Sequence, residues 1–306
     1  MAFKNIEDIM ALVRARKRTV RLAVAAAGEE HTLEAVMMAR NDGFADPVLA
    51  GDKADIMAIL EKMGQTIEES KIVDIPDPLE AARYAVALAR DGQADMLMKG
   101  KINTSEILRT VLNKEQGLPH GPLLVDMAVV LHPGYHKVFA LCDGGIIPYP
   151  TLEQKALEIR MVTEAMHQMG YGDDIKVGVL CANEMVNPKI VESADAAALK
   201  KMYEKGQFPG CILEGPISLD LAMSHETAKA KGYDSPVAGD VDFLLMPNLV
   251  TGNVYSKAIE LMGGTLITVV LGAKVPIALS SRAATKWEKY YSLVVGSTMC
   301  GKGEQK

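Results

Sequence analysis

The chain predicts an α/β fold in two lobes, each built on a mainly parallel sheet. Three observations carry that reading. Short apolar runs alternate with stretches of helical periodicity along the whole sequence, the pattern of βαβ units. The length of 306 residues exceeds the size at which one hydrophobic core keeps growing. The pattern changes character at the HPGYH turn, where two extended runs follow each other as in a hairpin.

Residues 20–26 read as the first strand, followed after Gly28 by helical spacing over 31–40. Strand 47–51, helix 53–62, strand 72–75 and helix 78–90 continue the series, punctuated by Gly, Pro and Asp. Strand 95–98 and helix 105–112 complete it. The extended runs 123–131 and 136–141 flank Pro133 and Gly134. Beyond them come helix 152–169, strand 176–181, helix 188–205, strands 211–213 and 243–246, helix 254–262 and strand 265–271. The amphipathic helix 285–299 is expected to return to the first lobe. Residues 1–135 plus 272–306 then make one lobe and 136–271 the other, with a ligand cleft between them.

The net charge of −6 argues against a nucleic-acid or acidic-membrane partner, whose footprint is basic. The cluster from Arg14 to Arg21 reads as a solvated helix end running into the first strand. Cys142, Cys181, Cys211 and Cys300 have no CxxC spacing and read as free thiols in a reducing compartment. Charges interrupt every apolar run at the N-terminus, and no run approaches the roughly 18 residues of a spanning helix. A cytoplasmic protein is expected.

Four constellations carry chemistry. The first is Lys99, Gly100, Lys101, Ile102, Asn103 and Thr104, a strand end opening into a helix. Unpaired N–H groups, the dipole and two lysines suit an anion there, while Asn103 or Thr104 also fits a simple N-cap. The second runs from Cys142 through Asp143, Gly144 and Gly145 to Thr151, with Gln154 as the partner of Thr151 in a capping box. Asp143 is read as orienting a base, binding substrate or capping. The third is Ser280, Ser281, Arg282 and Glu288: a guanidinium fork and hydroxyls matched to phosphate oxygens, with a carboxylate that is either a general base or a solvated residue. The fourth is Gly239, Asp240, Asp242, Pro247, Asn248, Gly252 and Asn253. The two Asp lack a third ligand, so no metal is expected. Asn248 and Asn253 are suited to an adenine, a ribose or a pantetheine amide, or they close turns.

These segments resemble the phosphotransacylases, the phosphate acetyl/butyryl transferase family, and its butyryl-type branch in particular. The resemblance rests on SPVAG (Ser235 to Gly239), Pro247 with Asn248, Gly252 with Asn253, and Ser281 with Arg282 opening a final helix. MKGKINT (Met98 to Thr104), CDGGIIPYPTLEQKALEI (Cys142 to Ile159) and GPISLDLA (Gly215 to Ala222) extend it. It implies a two-lobed fold like the isocitrate and isopropylmalate dehydrogenases, a homodimer or larger homo-oligomer, and transfer of an acyl group between coenzyme A and inorganic phosphate. No cofactor is expected, coenzyme A and phosphate being substrates. Arg282, Ser281, Glu288 and Asp143 are then the catalytic candidates, with Glu288 as base for the coenzyme A thiol. Lys99, Gly100, Lys101, Asn103 and Thr104 hold phosphate, and Asn248, Gly252 and Asn253 meet coenzyme A.

No GxSxG elbow is present and no cysteine has a basic surround, which favours direct attack in a ternary complex over a covalent enzyme. Two rival readings stand beside it. One is a β-decarboxylating dehydrogenase, for which GxGxxG and an Asp cluster are lacking. The other is a non-catalytic acyl-CoA sensor of the same fold. The butyryl-like loop favours four-carbon or branched acyl chains over acetyl, with Met185, Pro148 and Leu279 among the residues that would shape the acyl site.

Overall fold

The computed structural model describes residues 3–281 and 283–301. The chain opens with α1 (Ile6–Arg16), β1 (Val20–Ala25), α2 (Glu30–Asn41), β2 (Ala45–Gly51), α3 (Lys53–Lys62), β3 (Ile72–Asp74), α4 (Pro78–Arg90), β4 (Met96–Lys99) and α5 (Thr104–Val111). Strands β5 (His120–Leu131) and β6 (Phe139–Cys142) follow, then α6 (Leu152–Met169), β7 (Ile175–Leu180), α7 (Val191–Glu204), β8 (Cys211–Ile217), α8 (Leu219–Met223), α9 (His225–Ala230), β9 (Phe243–Leu245) and α10 (Leu249–Leu261). β10 (Thr265–Ala273), β11 (Ile277–Ala278) and α11 (Lys286–Met299) close the chain.

The chain divides into two compact units. One joins Glu7–Leu124 with residues from Ile267 onward; the other joins residues up to Ile6 with Val125–Leu266. The divisions expected after 135 and 271 therefore fall earlier, within β5 and β10. The HPGYH turn joins two antiparallel strands of one unit instead of linking two units.

In the first unit the strand order is β3-β2-β1-β4-β11-β10. Pairing is parallel through β11, and only β11 with β10 runs antiparallel. β4 is buried at all four residues because it lies between β1 and β11. Helix α11 inserts Tyr290, Leu293, Val294 and Val295 into this core. The basic cluster behind α1 is largely exposed, as a solvated helix end running into β1, and two of its members are also tied down. Arg16 donates to the Thr298 carbonyl at 2.7 Å and Arg18 to that of Cys300 at 2.8 Å, so cations meet the carbonyl end of α11. The sequence implied a helix ending in this cluster without giving its bounds, and Ile6, Ile9 and Val13 bury one stripe of it.

In the second unit the order is β5-β6-β9-β7-β8, antiparallel at β5–β6 and parallel beyond. Phe139, Leu141, Leu180, Ile217 and Leu244 form its core. Asp240 and Asp242, at the entry to β9, answer lysines here. Lys137 lies 2.9 Å from Asp240 and 2.7 Å from Asp242, and Lys176 also pairs with Asp240. Burial by itself would raise the Asp240 pKa, but hydrogen bonds from Lys137, Lys176 and His136 outweigh it and hold the carboxyl far below its usual range.

Lys137 is nearly buried, so its removal leaves carboxylates without their shared cation. Lys137→Met is expected to destabilise by about 3–5 kcal/mol in urea titration at pH 7. A depressed carboxyl pKa contributes stability above the unfolded value near 4 and loses it as pH falls through the folded value. The deficit of the variant should therefore shrink in acid. A loss that stays constant with pH would assign Lys137 a packing role only.

Candidate active site

The chain leaving β4 turns at once over the end of the sheet, and Gly100 makes that turn possible. A Cβ there would lie 2.3 Å from the Ala26 carbonyl oxygen. The loop is tied by Gly100 N–H to the Ala25 carbonyl at 2.8 Å and by Lys101 N–H to that of Ala26 at 2.7 Å. Asn103 caps α5, its own N–H donating to the Glu106 carboxylate at 3.2 Å in a capping box. Thr104 is the first helical residue. Lys99 is buried and Lys101 exposed.

This loop lines a cavity of about 570 Å³ with Glu29, Asp77 and Lys289. Glu29 caps α2, Asp77 caps α4 and Asn103 caps α5, so three helix N-termini open on one space. Their positive dipole ends add to Lys99, Lys101 and Lys289. The carboxylates are held back on their own helices: Glu29 accepts Thr32 N–H at 2.9 Å and Asp77 accepts Glu80 N–H at 2.8 Å. Burial works to raise the Glu29 pKa, but the Thr32 hydroxyl and Lys289 outweigh it and keep Glu29 below the usual range.

An adjoining cavity of about 660 Å³ shares Leu79 and Glu106 with the first and adds Arg83, Arg90 and Arg109. Arg83 and Arg90 are seven apart and share a face of α4, while Arg109 comes from α5. Arg90 is braced by Asp91 at 2.8 Å and the Gln116 carbonyl at 3.0 Å. Sequence reasoning missed all three, because on separate helices each reads as a solvated charge. The seven-residue spacing on α4 was the available signal.

In the same unit Ser281 follows β11 and turns the chain toward α11, its carbonyl accepting Ala284 N–H at 3.2 Å. Arg282 lies outside the described residues. Thr285 caps α11 in a box with Glu288: the Glu288 carboxylate accepts Thr285 N–H at 2.7 Å and the Thr285 hydroxyl at 2.8 Å. Glu288 is therefore neither a freely solvated residue nor an unengaged base. One of its oxygens caps the helix.

In the other unit Asp143 directly follows β6, with its side chain buried. One oxygen accepts Gly145 N–H and Ile146 N–H, both at 2.7 Å, and the other accepts Asp126 N–H at 2.9 Å. Gly252 lies in the first turns of α10, a helix that starts earlier than the sequence suggested. A Cβ at Gly252 would meet the Asp143 carbonyl oxygen at 2.3 Å. Asn253 donates from Nδ2 to the Gly144 carbonyl at 3.2 Å. The second and fourth constellations thus form one loop-and-helix contact. Asn248 caps α10, accepting Thr251 N–H at 3.0 Å.

Two buried acids beside Asp143 were not anticipated. Asp126 Oδ1 and both carboxyl oxygens of Glu158 have no hydrogen-bond partner among the described residues. Burial, reinforced by the charge of Asp143, raises Asp126 to about 8. Burial and Asp143 likewise raise Glu158 to about 8, with Lys155 opposing. Both hold a proton at pH 7. A charge inside the apolar run LLVDMAVV was the sequence signal for Asp126.

A carboxyl pKa raised on folding means that stability is present below the unfolded value near 4 and is lost as pH rises through about 8. Glu158→Gln is expected to flatten that alkaline loss, gaining on the order of 1–3 kcal/mol over wild type at pH 9. Parallel melting curves from pH 6 to 9 would rule the assignment out. Gly252→Ala forces a methyl onto backbone and should lower stability by about 1–3 kcal/mol or more, with activity falling further than stability at a permissive temperature.

Residues 78–296 match the family described as phosphate acetyl/butaryl transferase. Phosphate butyryltransferase of Clostridium acetobutylicum is 38% identical, over 97% of this chain and 99% of that protein. Phosphate acetyltransferase of Thermotoga maritima is also 38% identical, over 92% and 96%. Among solved structures, a branched-chain phosphotransacylase from Enterococcus faecalis superposes with a TM-score of 0.79 at 27% identity, over 92% of this chain and 99% of that one. A 4-hydroxythreonine-4-phosphate dehydrogenase from Salmonella typhimurium matches in fold, at TM-score 0.56 and 13% identity over 92% and 99%, which agrees with the dehydrogenase-like architecture. The chain belongs to the phosphate acetyl/butyryl transferase family, enzymes that exchange an acyl group between coenzyme A and phosphate.

Proposed function

We propose that this enzyme prefers four-carbon or short branched acyl groups and that its substrates divide between the charged features described above. The observation that carries the placement is the cavity onto which three capped helix N-termini and three lysines open. Inorganic phosphate, or the phosphoryl group of the acyl phosphate, is the anion it suits, with Arg282 as the guanidinium partner. The arginine cavity beside it suits the phosphorylated nucleotide end of coenzyme A. Asn253, tied through Nδ2, keeps its Oδ1 for a pantetheine amide. MKGKINT and the butyryltransferase and branched-chain relatives support the chain-length preference.

The chemistry asks for three things. The thiol must lose a proton, the acyl carbon must pass through a tetrahedral oxyanion, and phosphate must leave. Glu288 is the base we assign: its capping bonds fix its position at the first turn of α11, and among the described residues they engage one carboxyl oxygen. Ser281 and Arg282 precede it in the sequence, and we assign them to the oxyanion or the phosphate. The thiol attacks in a ternary complex, without a covalent enzyme.

The protein works as a homodimer in the cytoplasm on this reading. Val250, Val254, Leu261 and Met262 leave one side of α10 exposed and apolar, a face suited to a second copy of the chain. Among the described residues no helix is long and apolar enough to cross a membrane.

Phosphate-dependent release of coenzyme A thiol from acetyl-, butyryl- and isobutyryl-CoA tests the proposal. Turnover fastest on the four-carbon substrates is expected, with Arg282→Ala lowering kcat by about 10²–10³. Glu288→Gln preserves the capping box and should leave stability unchanged while lowering kcat by about 10²–10⁴; an unchanged kcat would reduce Glu288 to a cap. Arg109→Ala should raise KM for acyl-CoA about tenfold at low salt, with less effect at high salt. An unaltered KM would exclude the arginine cavity from coenzyme A binding.

A further inference from the structure

The unit built on Val125–Leu266 holds a third cavity, of about 340 Å³, with an apolar lining. It lies beyond the carboxyl ends of β7 and β9, where open α/β sheets take their ligands. Leu180, Ile190, Leu219, Met246 and Tyr255 form its walls. Leu180 and Met246 belong to the core of the unit and Tyr255 packs against it, so these walls are set by the fold. At the mouth Asn248 accepts Thr251 N–H and donates to Glu192 at 3.5 Å. The one carboxylate of the lining is thereby turned to a neighbour.

We propose that this cavity is the acyl-chain pocket and that its walls set chain length. The inference rests on the acyl-transfer reading above and names the part of the substrate that the charged cavities leave unplaced. An acyl-CoA has one variable apolar end, and the lining of this cavity has the apolar character that end requires. At about 340 Å³ the cavity has more room than an acetyl group fills. Met185, Pro148 and Leu279, the residues first considered for chain length, are not among its walls, and Met185 is exposed.

Ala182→Phe and Leu219→Trp test it, both at exposed positions on the cavity wall that tolerate bulk without disturbing the core. Each should lower kcat/KM for butyryl- and isobutyryl-CoA by about 10- to 200-fold relative to acetyl-CoA, the range a methylene-sized change produces. Ile190→Ala should shift the optimum toward a longer chain such as hexanoyl. A second readout does not need turnover. Cys181 lines the cavity and is only partly buried, whereas Cys142, Cys211 and Cys300 are buried. Its alkylation by a maleimide should be slowed by butyryl-CoA and unaffected by coenzyme A alone. Unchanged chain-length ratios in both bulky variants, or equal protection by coenzyme A, would overturn the pocket. An enzyme inactive on every acyl-CoA would count against the functional reading, and Cys181 protection would still decide the pocket.

Discussion

Each unit closes its functional end on a glycine that has no room for a side chain. At Gly100 the chain crosses the carbonyl end of β1, and at Gly252 the first turns of α10 lie on the Asp143–Gly144 backbone. In both cases an added carbon would sit 2.3 Å from a carbonyl oxygen. The rest of the geometry depends on that approach. In one unit the tied loop sets Lys99, Lys101 and the α5 N-terminus around a common space. In the other, it lets Asn253 reach the Gly144 carbonyl and holds the Asp143 loop against the helix.

The electrostatics of the two units differ for a reason visible in their burial. The unit with Gly100 keeps its cations and dipole ends at a cavity surface, while its acids are engaged by the N–H groups they cap. A net attraction for anions follows. The unit with Asp143 sets Asp126 and Glu158 beside it in a buried group of carboxyls. Asp143 takes backbone donors on both oxygens, whereas Asp126 and Glu158 have orphaned oxygens and stay protonated. Neutrality is the less costly state for an acid that lacks donors in a low-dielectric surround. The apolar cavity belongs to this same unit, and the one carboxylate of its lining, Glu192, accepts a hydrogen bond from Asn248.

Helix capping links local sequence to these sites. Asn103, Thr151, Asn248 and Thr285 all sit at N-caps, and all four fall inside segments read from the sequence as chemistry. The two roles are compatible. A cap fixes the direction of a helix N-terminus, and a fixed N-terminus is what an anion or a reacting group requires. Glu288 shows the consequence most directly, since the bonds that stabilise α11 also set the position of its carboxylate.

The helices spanning 53–62, 78–90 and 152–169 were legible to the residue, because each begins at a cap of Asp or Thr and carries uninterrupted apolar spacing. The strand ends bearing Lys99, Asp143 and Asn248 were legible from apolar runs that stop at Gly, Asp or Asn. The short strand β11 and helices α8 and α9 were not, being too brief for periodicity to register. By itself the sequence determined the alternation of strand and helix, the family and the residue types at strand ends, since these follow from local pattern and capping chemistry. Only the tertiary structure decided that Arg83, Arg90 and Arg109 share a cavity, that Asp126 and Glu158 are neutral, and that Leu180, Leu219 and Met246 enclose an apolar one. Those properties arise from packing between residues far apart in the chain, which no local pattern encodes.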